Sequence, residues 1–413
     1  MTTSIPRRVR HPATERVSSP VAGSTDRSQR GGPGAAAIVG VKRIFTAESG
    51  NYFLLLGTTL FLVGFGLVMV LSSSAISSYN DTDDFFTGFT RQLLFAVIGI
   101  PLMLVASRLP SAVWKRWAGT LLVIACGLQF LVVATPLGAE SGGNRNWLAL
   151  GPISMQPSEL IKVALAIWLA YILSMKSDRL DNIRELAIPM APVVAVAIGL
   201  VLVGGDLGTS LILIAIVMGA LFFAGVRLWI LTIPLIVAAI VGPAIAFSSE
   251  SRSARTQAFL DGCSSNNDLL GTCWQTVHGW WALAAGGVFG AGLGNSKAKW
   301  SWLPEADNDF IFAIIGEELG LVGAITVLVL FIVMAVAFVR IIRAAADPFA
   351  RIAVSAVMVW IVGQAFVNIA VVLGLVPVLG VPLPFISSGG SALVTSMFAI
   401  GIALSFARAK PQA

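Results

Sequence analysis

Charge is scarce in this chain. Asp, Glu, Lys and Arg together make up 12% of its 413 residues, against 56% hydrophobic residues and a mean hydropathy of +0.87. A soluble domain carries about 25% charged residues, so the arithmetic of water-soluble cores does not apply. Histidine is confined to His11 and His278, and the three cysteines show no CxxC spacing. No Gly-rich P-loop or dinucleotide fingerprint occurs, which removes a nucleotide cofactor from the expectation. The net charge of +6 follows from membrane topology and calls for no nucleic-acid partner. No internal repeat stands out, which weighs slightly against a repeat-built transporter.

Long apolar runs dominate instead. Ten blocks of about 20 residues fall at 52–73, 88–107, 116–134, 156–175, 187–204, 207–224, 228–248, 309–341, 352–374 and 384–406. A helix of that length covers roughly 30 Å, the thickness of the hydrocarbon layer. The expected fold is an all-α membrane protein, a polytopic bundle of ten transmembrane helices forming one domain over 47–407. The eighth block is long enough to tilt or to run past the membrane.

Basic residues orient the bundle. Arg7, Arg8, Arg10, Arg16, Arg27, Arg30, Lys42 and Arg43 precede the first block and place the N-terminus in the cytoplasm. Threading ten spans from there keeps Arg108, Lys115, Arg116, Lys176, Arg179, Arg184, Arg227, Arg340, Arg343, Arg351, Arg408 and Lys410 inside, so both termini are cytoplasmic. Segments 74–90, 135–155 and 375–383 lie outside, with a large loop, 249–308, between helices 7 and 8. Residues 1–46, rich in Arg, Ser, Gly and Pro, read as a disordered basic cytoplasmic tail, and 408–413 as a short one.

Cys126 lies in the third span as a small apolar residue. Cys263 and Cys273 share the large outer loop, where an oxidising compartment favours a short disulfide loop over metal binding. Two free thiols are the other reading.

The polar motifs gather on one face. Spans 4, 6, 8 and 10 all run inward, so their N-termini meet outside, each with a polar motif: Gln156-Pro157-Ser158-Glu159, Asp206-Leu207-Gly208-Thr209, Asp307-Asn308-Asp309 and Ser387-Ser388-Gly389-Gly390-Ser391. Helix N-termini offer free N–H groups and partial positive charge, which suit a phosphate or diphosphate. Carboxylates beside lipid are costly enough to mark function, and Asp309, where loop meets helix, is the best candidate for chemistry. A general base needs reach to a hydroxyl and a pKa near the working pH, which partial burial gives an aspartate.

Each motif has a plainer reading. Asp206 reads as an N-cap, and Asp309 could cap span 8. Glu159 and Lys162 are three apart and either neutralise each other within the bundle or face substrate. Ser387 to Gly390 could pack helices closely, Trp147 could anchor at the interface, and Glu317 with Glu318 could only hold the bundle together. Arg145, Arg252, Arg255, Lys297 and Lys299 are outer basic residues, some available to an anionic ligand and others simply solvated.

Taken together, Trp147, Gln156-Pro157-Ser158-Glu159-x-x-Lys162, Asp206-Leu207-Gly208-Thr209, Gly292-Leu293-Gly294-Asn295-Ser296, Leu303-Pro304-Glu305-Ala306, Asp309 to Gly320 and Gly374 to Ser387 resemble the SEDS family of bacterial cell-wall proteins. The likeness spans about 50–407 and is closer to the division branch, FtsW-like, than to the elongation branch, RodA-like. It implies a peptidoglycan glycosyltransferase that polymerises lipid II at the outer face of the bacterial cytoplasmic membrane during cell division, at the septum. Undecaprenyl pyrophosphate would leave in a single inverting displacement.

The resemblance assigns Asp309 as catalytic. It carries Trp147, Glu159 and Lys162 over to the substrate, and the reading of the residues adds Arg145, Lys299, Glu305, Ser387, Ser388, Gly389 and Gly390 around it. Partners implied are the nascent glycan strand, a class B penicillin-binding protein (a transpeptidase) and other division proteins of the membrane. Where the family has His-Thr, this chain has Asp307-Asn308; the added charge either raises the pKa of Asp309 or favours a divalent cation, Mg²⁺ or Mn²⁺, between Asp307 and Asp309. Ser388 stands for the family's Tyr, Ala392 for a Ser, Asn146 for an Arg, and Gly204-Gly205 for a Gln/Glu-Pro pair. Two other functions are compatible with such a bundle: a lipid II flippase, and a non-catalytic scaffold for the transpeptidase.

Overall fold

A computed structural model describes residues 49–408 apart from 142–143, 151–152, 178–179, 248–249, 264–270 and 301. The tail assigned to 1–46, and the 409–413 part of the C-terminal one, lie outside the described residues. Ten long helices among the described residues make up an all-α polytopic membrane fold. They are α1 (Gly50–Thr82), α2 (Thr87–Ala106), α3 (Ser111–Ala134), α4 (Pro157–Met175), α5 (Ile183–Val203), α6 (Leu207–Ala224), α7 (Leu228–Ala246), α10 (Ile311–Ala344), α11 (Pro348–Val372) and α12 (Gly390–Ala407). Among the described residues, nine are long and apolar enough to cross a membrane, and α7, with a shorter apolar stretch at Leu228–Val237, is the tenth. Helices α8 (Glu250–Leu260) and α9 (Trp274–Gly286) occupy the large loop.

Helix α4 forms the centre, packed by α3, α6 and α11, while α2 lies along α12 and α1 against α10. In its most apolar window 72% of α4 is buried, against 22% of α5. A helix buried all round is apolar all round, which makes the two charges α4 carries near its start conspicuous. At one end of the bundle Lys115 pairs with Asp347 at 2.7 Å, and Ser49 Oγ donates to Ala407 O. The first and last described helices therefore meet at that end, as an even number of spans requires.

Two outer segments differ from the expectation. The first helix continues through Ser-rich 72–78 to Thr82, so 83–86 alone links it to α2; Ser74 and Thr82 donate back to the carbonyls of Val70 and Ser78, which keeps polar residues helical. Segment 135–155 holds a three-stranded antiparallel sheet, β1 (Gly138–Ser141), β2 (Asn144–Leu150) and β3 (Ile153–Met155), in the order β1-β2-β3. Asn146 and Leu148 alternate inward, 4% and 2% exposed, the two-residue period of a half-buried strand. The sheet delivers the chain to Gln156 at the head of α4.

Candidate active site

The heads of α4, α6, α10 and α12 are bonded to one another. Gln156, capping α4, donates from Nε2 to Asp206 Oδ2 at 2.9 Å, and its backbone N–H reaches Ser391 Oγ on α12 at 3.3 Å. Asp206 caps α6, Oδ1 accepting from Thr209 N at 2.8 Å. The loop entering α12 is bonded to the loop entering α10: Ser388 N donates to Asp307 O at 2.8 Å and Ser387 Oγ to Asn308 O at 2.7 Å. Asn368 on α11 supplies a third such bond, Nδ2 to Asp309 O at 2.7 Å. Three consecutive carbonyls, 307 to 309, thus each accept from a different group. Asp309 does not cap α10: the capping position is Phe310, which makes no side-chain cap bond. Its carboxylate is left for other work, beside Gly380, where a Cβ would lie 3.6 Å from Oδ2.

A break in α10 makes that loop rigid. Gly320 adopts φ 67°, ψ −164°, which interrupts the helix after its first turns and is essentially open to glycine alone. The orphaned groups on both sides of the break are taken up by the strap that follows α9. Ala291 N and Gly292 N donate to the carbonyls of Glu317 and Glu318 at 2.9 and 3.0 Å, and Leu321 N and Val322 N donate to those of Gly287 and Val288 at 2.9 and 3.2 Å. The side chains lock the same strap. Glu317 accepts from Lys297 N at 2.9 Å and from Ser296 Oγ; Glu318, 0% exposed, pairs with Lys299 at 3.2 Å and accepts from Ser72 at 2.7 Å. The two acids inside span 8 are therefore fully partnered, and the half-helix Ile311–Leu319 is a fixed pedestal for Asp309.

The surroundings of Asp309 bring its carboxyl toward neutral pH. Burial pushes its carboxyl up to about 7, the negative charge of Glu305 adds to the rise, Asp206 and Asp307 add less, and Arg255 opposes them. Burial, then Glu305, also raise Asp307. Next to Asp206, an apolar cavity of about 470 Å³ opens between α5, α6 and α7, lined among others by Met190, Val194, Leu202, Leu207, Ser210 and Ile233.

A family model for cell cycle proteins, FtsW/RodA/SpoVE, matches residues 53–412. The chain belongs to that family. It is 38% identical over 363 residues to the probable peptidoglycan glycosyltransferase FtsW of Mycobacterium tuberculosis, covering 88% of this chain and 69% of that protein. It is 35% identical over 365 residues to stage V sporulation protein E of Bacillus subtilis, covering 88% and 98%. Among solved structures it is similar to a chain of a peptidoglycan synthase complex that coordinates polymerization and crosslinking, with a TM-score of 0.71 at 25% identity over 87% of this chain and 98% of that one. In fold it is similar to the rod shape determining protein RodA of Thermus thermophilus, TM-score 0.65 at 23% identity over 89% and 99%.

In this FtsW/RodA/SpoVE chain the residues singled out from sequence fall into five groups. Asp307, Asp309, Glu305, Ser387 and Ser388 come together around the head of α10, with Asn308 Nδ2 donating to Glu305 Oε2 at 3.2 Å; Gly389 and Gly390 follow at the head of α12, Gly390 packed against Phe95. Glu159 and Lys162 form an ion pair of 2.7 Å, 2% and 1% exposed, inside the bundle. Lys299 is used by Glu318 and by Gly294 O at 2.6 Å. Arg145 and Trp147 lie on β2, where Arg145 Nη2 donates to Thr135 O at 2.6 Å. Cys263 and Cys273 are joined, with S–S 1.99 Å, and tie the end of α8 to the start of α9. Gln364 and Asn368 escaped the sequence reading, although two amides four apart in an otherwise apolar span are a signal of the kind that costs energy in lipid.

Proposed function

We propose that this chain, a peptidoglycan glycosyltransferase of the FtsW/RodA/SpoVE family, polymerises lipid II into glycan strands at the outer face of the bacterial cytoplasmic membrane, with Asp309 as general base. The observation that carries the reading is the bonded convergence of four helix heads around a partly buried aspartate with a carboxyl near 7. Asp309 accepts the proton of the acceptor's 4-hydroxyl; that oxygen bonds to the anomeric carbon of the growing strand, and the bond to undecaprenyl pyrophosphate breaks with inversion. Helix heads present N–H groups and partial positive charge to the departing diphosphate. The apolar cavity beside Asp206 has the size and lining for part of a polyprenyl chain.

Glu159 and Lys162 pair within α4 and are buried there, and in this scheme Lys162 ties that helix to α11 through Gln364 Oε1. Among the described residues no group of three His, Cys, Asp or Glu side chains is arranged to hold a metal ion. A Mg²⁺ or Mn²⁺ would therefore draw most of its ligands from the diphosphate and water, as Mg²⁺ commonly does, with Asp307 as the protein's contribution. The partner of this reaction would be a class B penicillin-binding protein at the division septum, which crosslinks what the chain polymerises.

The test is vesicles carrying the full chain and its transpeptidase, with labelled lipid II supplied on one side only. Polymer on the side that carries Asp309 supports the reading. Label crossing the bilayer without polymer supports a flippase, and neither outcome with an intact complex supports a scaffold.

A further inference from the structure

One face of α11 carries Trp360, Gln364 and Asn368, each one turn from the next and 0%, 2% and 1% exposed. Their bonds form a single path. Lys162 Nζ lies over the Trp360 ring at 5.3 Å and donates to Gln364 Oε1 at 3.1 Å, while Trp360 Nε1 donates to the same oxygen at 2.9 Å. Two donors on Oε1 leave Gln364 one orientation, with Nε2 turned away from Lys162. Nε2 donates to Pro382 O at 2.8 Å. One turn on, Asn368 Nδ2 donates to Val381 O and to Asp309 O, both at 2.7 Å. The path therefore ends on the backbone of Asp309 and on the two residues after Gly380, which walls its carboxylate.

A buried ion pair is a poor source of net stability, because desolvation offsets its attraction. Cavity filling alone would favour apolar side chains at 159, 162, 364 and 368. Holding one carboxylate to within a fraction of an ångström is a different requirement, since a misplacement of about 1 Å can cost ~100-fold in rate.

We propose that Gln364 and Asn368 are positioning residues for the transferase reaction, transmitting the restraint of the Glu159–Lys162 pair to Asp309 and its facing loop. The inference rests on Asp309 as the base. Both hydrogen bonds that Asn368 donates go to main-chain carbonyls, of Asp309 and Val381, so its restraint reaches the reaction through Asp309 and the facing loop.

The experiment uses the full chain with its partner transpeptidase and lipid II, comparing Gln364→Leu, Asn368→Ser, the double variant and Asp309→Asn. Melting in detergent and complex formation identify variants that fold. Each single variant is expected to lower kcat about 10- to 100-fold with KM for lipid II within about threefold. The double is expected to be no worse than the weaker single by more than about threefold, because both cut one path. Wild-type kcat in either folded single variant overturns the proposal, as does a double whose loss is the product of the two. Should Asn368→Ser fail to fold, Gln364→Leu, which does not touch Asp309, carries the test with Gln364→Glu as its partner. That variant keeps the acceptor for Lys162 and loses the amide donor to Pro382, so it too should fall in kcat. Strands from Asp309→Asn would remove the underlying reading. An inert Asp309→Asn beside fully active Gln364→Leu and Asn368→Ser would remove only the relay.

Discussion

Substitutions that remove one charge near Asp309, an acid in one case and a base in the other, should move the pH dependence of polymerisation in opposite directions. Glu305 is the largest charge raising the Asp309 carboxyl, and Arg255 is the charge opposing it. A base works only when ionised, so kcat/KM should rise with pH through about 7 and level off above it. Glu305→Gln removes a repelling charge. The carboxyl falls, and the acidic limb moves to lower pH. Arg255→Gln removes an attracting charge, and the limb moves to higher pH. A shift of ~0.9 pKa unit from such a neighbouring charge corresponds to ~1.2 kcal/mol of interaction.

Near pH 6, a base with a pKa near 7 is ionised about one-tenth of the time, and one shifted down by ~0.9 unit about two-fifths. Glu305→Gln should thus be about fourfold faster than wild type near pH 6, less a factor of about 2 for weaker basicity, and no faster at pH 8.5. The amide introduced by Glu305→Gln keeps an acceptor oxygen for Asn308 Nδ2, so the loop geometry is preserved. The assay is the initial rate of lipid II polymerisation by the complex from pH 5.5 to 9. Limbs that stay put, or that move the same way in both variants, would refute Asp309 as the group that titrates.

Lys162→Met strands Glu159 inside the bundle and should cost about 3–5 kcal/mol, read as a lower melting temperature in detergent; Lys162→Met melting with wild type would show that Glu159 finds other compensation. Gly320→Ala places a side chain at φ 67°, against Gly290 N and Val288 O, and should cost at least ~1–3 kcal/mol from backbone strain; unchanged melting would mean that the strap can move aside. Replacing Cys263 and Cys273 by Ser opens a loop of sequence separation 10, worth up to ~3 kcal/mol locally. Proteolysis of the outer loop should then quicken with melting of the bundle unchanged, and equal cleavage rates would show that the α8–α9 junction holds without the bond.

Much of the fold was legible because lipid imposes a length on apolar runs. Ten blocks and ten helices agree, and the bonds Gln156–Asp206, Gln156–Ser391 and Ser387–Asn308 join the four helix heads that topology alone had placed together. What was not legible depends on side chains folding back on the main chain. The sheet at 138–155 consists of strands of four, seven and three residues, too short for an alternating pattern to stand out. The last helix begins at Gly390 because Ser387 Oγ binds Leu383 N at 2.7 Å and keeps the preceding loop irregular, whereas hydropathy alone extends it back to 384. Glu317 and Glu318 were visible as costly acids, but their partners sit 19 to 22 residues earlier or, for Ser72, 246 residues away. Pairing of Lys162 with Glu159 was one of two readings the spacing allowed, and the packing selects it; the enclosure of Lys299 against Glu318 was not legible.

The central claim is that Asp309 is the base of glycan polymerisation. Wild type and Asp309→Asn, each purified with the cognate transpeptidase, should be given lipid II and their products resolved by length. The account predicts glycan strands from wild type and none from Asp309→Asn, with both complexes intact and equally stable. Strands of equal yield from both would contradict it.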